Sequence, residues 1–111
     1  MSEKILDVPT RIDFPPDQIT AACRKYHVEE LAVFGSVLRD DFRQDSDVDF
    51  LVKFQRDDAG PWMSYLTGLQ EELSRILRRP VDVLDWVAVE KSRNPFRRHA
   101  ILSTKRLLYV A

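Results

Sequence analysis

One cysteine, three glycines and two histidines stand among 111 residues, and each scarcity closes a class of function. A lone Cys23 forms neither an intramolecular disulfide nor a cysteine zinc cluster, a usage that fits a reducing cytosol. Its apolar neighbours mark it as a small buried hydrophobe. His27 and His99 have no cysteine, serine or carboxylate at a catalytic spacing and read as surface or helix-end residues. So few glycines leave no flexible Gly/Ser linker, and no repeat or low-complexity tract divides the chain. No apolar run approaches the roughly 18 residues of a membrane span. With no basic-then-apolar start, neither a signal peptide nor an anchor is expected, and the protein is expected in the cytoplasm. An excess of one charge is also lacking. Lys and Arg number 17 against 18 Asp and Glu, a net charge of -1, which argues against a protein built to coat nucleic acid.

What is present is an ordinary soluble composition: 44% hydrophobic and 32% charged residues give no sign of disorder. The length suits one domain, placed at residues 15–111, with residues 1–14 as a loose N-terminal arm ending at Pro15-Pro16. Ile19, Ala22, Cys23 and Tyr26 recur at helical spacing from Asp17 onward. Leu31 to Phe34 form a continuous apolar strand from Glu30, closed by Gly35. Ser36 to Arg39 predicts a short helix or turn, and Asp40 to Ser46 a polar connection whose Asp40, Asp41 and Asp45 are solvated. In the strand from Asp47 to Phe54, Val48, Phe50 and Val52 alternate with Asp47, Asp49 and Leu51.

After a polar loop over 55–60, the clearest helix runs from Pro61 to Arg78. Trp62, Tyr65, Leu66, Leu69, Leu73, Ile76 and Leu77 share its stripe, Arg75, Arg78 and Arg79 suit its C-terminal dipole, and Pro80 stops it. Val81 to Val87 predicts a third strand. Asn94-Pro95 predicts a cap and first helical turn for a helix to about Leu102, and Arg106 to Val110 a last strand. Trp62 and Trp86 are assigned to the core. Lys91, Arg93, Arg97 and Arg98 form a basic cluster, read as a solvated face or, alternatively, a contact for a partner or RNA. Short strands alternating with helices predict an α+β domain, a short mixed sheet with helices mainly on one face.

The stretch that carries chemistry is Gly35-Ser36, ten residues, then Asp47-Val48-Asp49. Residues i and i+2 of a strand share a face, so Asp47 and Asp49 present two carboxylates side by side. Magnesium is typically held by one or two carboxylates together with substrate phosphates, which couples this pair to the Gly-Ser turn before it.

This pattern resembles the minimal nucleotidyltransferases (MNT domain) of the DNA polymerase β superfamily. The resemblance rests on Val33-Phe34-Gly35-Ser36, Arg39 and Ser46-Asp47-Val48-Asp49-Phe50-Leu51-Val52, with Val81-Asp82-Val83-Leu84 and the terminal Ile101-Leu102 and Leu107-Leu108-Tyr109 in agreement. It implies the polymerase β-like fold and a metal site of Asp47, Asp49 and Asp82 for two Mg2+ ions, which steady the attacking and leaving oxygens. Asp82 also helps to deprotonate the attacking hydroxyl. Asp85, close by on the opposite face, stays open as the third carboxylate in its place. Gly35 and Ser36 are implied to hold the phosphates of ATP, and Arg39 either a phosphate or an aspartate. Where the family often has glycine after the arginine this chain has Asp40, a residue that tolerates left-handed backbone.

The resemblance further implies a HEPN-domain toxin as partner. The MNT protein acts there as antitoxin by moving AMP from ATP onto a tyrosine hydroxyl of the toxin, in a possible hetero-oligomer. Two rival readings are a binding module that masks its partner without chemistry, and transfer to RNA or a small hydroxylated molecule. Intact Ser36, Asp47 and Asp49 count against the first. The absence of an added domain and of strong positive charge counts against the second, and nucleic acid is not expected as a direct partner.

Overall fold

A computed structural model describes residues 3–8, 10, 12–39, 42–55 and 62–111, for Trp62 the backbone alone. The expectations for Asp40 and Asp41, for residues 56–61 and for the side chain of Trp62 lie outside these residues.

Where the apolar residues fall along each segment decides which face of the sheet it covers. Helix α1 (Pro16–Lys25) starts with proline in its first turn and buries Ile19, Ala22 and Cys23. It stops before His27, whose φ of 55° is the left-handed position that ends many helices, and His27 stacks there on Tyr65 as a helix-end residue. Strand β2 (Val28–Phe34) is apolar on both sides and is covered on both: Leu31 and Val33 enter one cluster, Ala32 and Phe34 the other. In β3 (Val48–Phe54), Val48, Phe50 and Val52 join the first cluster and Leu51 the second. Helix α2 (Trp62–Leu77) drives Leu69 and Leu73 into the first cluster, with Leu66, Ile76 and Leu77 packed against it. Cys23, fully buried, has its thiol pushed up to about 12 by desolvation, which leaves it inert.

With β4 (Val81–Asp85), β5 (Arg106–Val110) and a short β1 (Lys4–Ile5), these strands form one sheet in the order β1-β5-β2-β3-β4. Among the described residues only β3 and β4 are parallel, joined through α2, and every other pair is antiparallel, so the sheet is mixed. The larger core lies under α1 and α2. A smaller cluster on the opposite face, built from Ala32, Phe34, Leu51, Trp86 and Ile101, lies under α3 (Trp86–Glu90) and α4 (Pro95–Thr104). This is the α+β architecture with its main packing on one face. Asn94 caps α4 as the sequence suggests, its side chain accepting from the N–H groups of Phe96 and Arg97.

Two segments differ from the sequence expectation. The third strand ends at Asp85 instead of Val87, because the Asp85 carboxylate accepts from the Ala88 N–H at 3.2 Å and starts α3, which turns Trp86 into the smaller cluster. Replacing Asp85 by Ala should lower stability by about 0.5–2 kcal/mol, seen as a lower melting temperature, and leave the chemistry in place. The N-terminal arm is not loose throughout. Lys4 and Ile5 pair with Val110 and Tyr109, and Glu3 accepts from Tyr109 Oη at 2.8 Å and from Arg24 Nε at 2.8 Å. Arg24, then Tyr109, hold the Glu3 carboxyl below its ordinary range, while desolvation and Glu3 push the Tyr109 phenol up.

Candidate active site

The chain leaves β2 at Phe34 and turns through Gly35 with φ 81°, a left-handed conformation that side chains other than glycine rarely adopt. A single 3-10 turn, Gly35–Leu38, follows; Val37 anchors it in the larger core and the Arg39 N–H donates to Ser36 O at 2.9 Å. Ser36 Oγ donates across to the Asp47 carbonyl at 3.5 Å, bridging the turn to the start of β3. Thus the two halves of the motif, ten residues apart in sequence, meet at one end of the sheet.

The strand register brings the carboxylates to the same end. Asp49 lies opposite Phe34 on one side and opposite Asp82 on the other, and residues facing each other across a sheet share a face. Asp47 stands two residues ahead of Asp49, just before β3. The electrostatics agree. Asp49 is pushed up to about 6, first by its own burial, then by the charges of Asp82 and Asp47, against the opposing pull of Arg39. Asp85 faces Val52, further along the sheet, and is committed to capping α3, so Asp82 is the carboxylate that neighbours Asp49. The carboxylates stand beside one another without converging: among the described residues no three His, Cys, Asp or Glu side chains gather closely enough to hold a metal ion. Burial first, and then the like charges of Asp82 and Asp47, raise Asp49. A hard cation that takes oxygen ligands suits this set of donors, because it would relieve the repulsion.

Gly35 and Asp49 are packed against each other. A Cβ built on Gly35 would run into the Asp49 carboxylate, with Cγ at 3.3 Å. The glycine is therefore needed both for its backbone angle and for the space its missing side chain leaves.

One supporting residue was misread from sequence. Arg79 looks like part of a basic helix end, yet its guanidinium donates to the carbonyls of Ser46 (3.2 Å) and Arg43 (3.4 Å) and lies 4.8 Å over the Phe42 ring. Together with the Val48 N–H donating to Pro80 O at 3.1 Å, it ties the loop that delivers Asp47 to the segment that delivers Asp82. Only its nearness to Asp82 in the chain hinted at this.

Comparison with known proteins shows the family and the fold. Residues 17–111 match the family described as polymerase beta, nucleotidyltransferase. Two Methanocaldococcus jannaschii relatives have names that propose protein adenylyltransferases. One is 33% identical over 86 residues, 78% of this chain and 80% of the relative; the other is 34% identical over 65 residues, 59% and 67%. A solved structure described as a proposed minimal nucleotidyltransferase superposes with a TM-score of 0.62 at 27% identity, covering 81% of this chain and 85% of that one. A toxin-antitoxin structure with AMP-PNP shares the fold, with a TM-score of 0.58 at 19% identity over 88% of this chain and 75% of that one. Matched over residues 17–111 and sharing the fold of a solved structure described as a proposed minimal nucleotidyltransferase, the chain belongs to the polymerase β nucleotidyltransferase family.

Proposed function

We propose that this chain is a magnesium-dependent protein adenylyltransferase that moves AMP from ATP onto a tyrosine hydroxyl of a partner HEPN toxin, and so acts as its antitoxin. The observation that carries this reading is the pairing of Asp49 with Asp82 directly beside the Gly35-Ser36 turn. The names of the two archaeal relatives support the adenylyl group and a protein acceptor. The toxin-antitoxin protein with AMP-PNP suggests the setting.

In this reading the catalytic unit is residues 15–111, with residues 1–14 as an arm of which Lys4 and Ile5 pair with β5. Gly35 lets the backbone approach phosphate, and Ser36 offers its hydroxyl there. Arg39 contributes positive charge beside the phosphates. Asp47, Asp49 and Asp82 would hold magnesium, which when bound offsets charge on the phosphate oxygens. Asp82 also accepts the proton of the acceptor hydroxyl as its oxygen attacks the α-phosphorus, and pyrophosphate leaves. In this reading the toxin brings the acceptor tyrosine to the site, in a hetero-oligomer with this chain. Among the described residues no helix is long and apolar enough to cross a membrane, and we place the pair in the cytoplasm.

The test is incubation of the protein with magnesium, ATP labelled on its α-phosphate and the product of the neighbouring gene. The neighbour should gain label and the mass of one AMP on a tyrosine. An unlabelled neighbour, whose toxicity the Asp47→Asn/Asp49→Asn chain still neutralises, would establish masking without chemistry and overturn the proposal.

A further inference from the structure

Between the Gly35 turn and the end of α4 lies a cavity of about 560 Å³, within the range of about 300–1,000 Å³ typical of small-molecule sites. Its walls include Gly35, Arg39, Ser103, Thr104 and Arg106. Asp47, Asp49 and Asp82 are not in its lining, so cavity and carboxylates adjoin at Gly35, whose α-carbon abuts Asp49.

Among the described residues the lining has two guanidinium groups and no carboxylate, the chemistry of an anion site. Arg106 is the first residue of β5 and pairs in register with Val33, two residues before Gly35. Its side chain is exposed, and no carboxylate pairs with it among the described residues. The Thr104 hydroxyl is already used, donating to the Ala100 carbonyl at 2.6 Å, which leaves Arg106, with the Ser103 hydroxyl, as a donor toward an anion.

We propose that Arg106 is a nucleotide-binding residue that joins Arg39 in holding the β- and γ-phosphates of a nucleoside triphosphate in this cavity. The inference rests on the reading above, that Gly35 and Ser36 hold phosphate beside the carboxylates. In the transfer, the acceptor oxygen forms a bond to the α-phosphorus as the bond from that phosphorus to the bridging oxygen of the β-phosphate breaks. The bonding pair stays on the bridging oxygen, pyrophosphate departs with it, and the acceptor's proton passes to Asp82. Charge therefore grows on the group that Arg39 and Arg106 face. A guanidinium fork meets two phosphate oxygens at once, which a lysine ammonium does not.

The test is equilibrium binding of ATP and of AMP to the full chain by calorimetry in magnesium, with AMP titrated to millimolar concentration. Arg106→Gln should weaken ATP roughly 10- to 100-fold, leave AMP within about twofold and leave the melting temperature unchanged, since only ATP carries the phosphates it holds. Arg106→Lys should recover part of the loss, and Arg93→Gln, in the basic cluster before α4, should bind like wild type. ATP affinity within about twofold of wild type in Arg106→Gln overturns the inference and leaves the transferase reading standing. Parallel losses for ATP and AMP overturn it too, because they mark a structural role. A wild-type chain that binds no ATP overturns the reading it rests on.

Discussion

Replacing Asp49 by Asn should lower nucleotidyl transfer by about 10³-fold or more while raising the melting temperature of the metal-free protein at neutral pH. On the proposed reading the loss follows from the several kcal/mol of charge stabilisation that a carboxylate-held metal would supply, at about 1.36 kcal/mol per tenfold in rate. The gain follows from the environment of Asp49, where burial and the charges of Asp82 and Asp47 raise the carboxyl from an ordinary 3.8 to about 6. A carboxyl with a raised folded pKa binds its proton more tightly in the native state than in the unfolded one. Stability therefore falls as pH rises from about 4 to about 6, and the penalty is fully present above that window.

At full strength such a shift corresponds to ~3 kcal/mol. Asp49 is only half-buried, and solvent screening reduces the figure to about 1–1.5 kcal/mol, or about 3–8 °C for a domain of this size. Melts of wild type and Asp49→Asn in EDTA should thus differ at pH 7.5 and coincide near pH 3.5. Added magnesium should stabilise the wild type and do less for the variant. Equal melting temperatures at pH 7.5 without metal would show that the carboxylates do not repel one another as their register implies.

On the proposed reading, stability is thus spent at one residue in order to place charge where the reaction needs it. The larger core shows no such conflict, and it is also the part most readable from sequence. The α2 stripe is legible because its apolar spacing and its stop at Pro80 are local signals. The same is true of Asn94-Pro95 at the start of α4 and of β5, whose limits the sequence places at Arg106 and Val110. The pair Asp47 and Asp49 is legible from strand periodicity alone. The position of Asp82 is not, because it depends on the register between β3 and a strand that begins 27 residues after β3 ends, and a resemblance had to supply it. The end of that strand was misplaced by two residues, because an aspartate inside an apolar run reads equally as a strand residue or a helix cap, and only the turn of Trp86 into the smaller cluster decides between them. The pairing of Lys4 and Ile5 with β5, the clasp made by Arg79 and the place of Arg106 beside Gly35 also join distant segments, and no local spacing encodes them.

The second large effect belongs to Gly35. Substitution by Ala should destabilise the protein by about 2–4 kcal/mol and lower transfer by at least about 100-fold, through two separable causes. An L-residue held at φ 81° costs about 1–2 kcal/mol by itself. The new methyl also meets the Asp49 carboxylate, so either β3 or the turn must give way, and a shift of about 1 Å at a reacting centre is enough for a 100-fold loss. A double-mutant cycle separates the causes. Asp49→Ala removes the carboxylate and leaves the backbone angle untouched, so in that background Gly35→Ala should cost only the strain of the left-handed turn. The coupling between the two positions should then be at least about 1 kcal/mol, measured by urea unfolding without metal at pH 7.5. Strictly additive costs would mean that Gly35 is required for its backbone angle alone and that Asp49 has room to move. In that case its elevated pKa would owe nothing to being pinned against the turn.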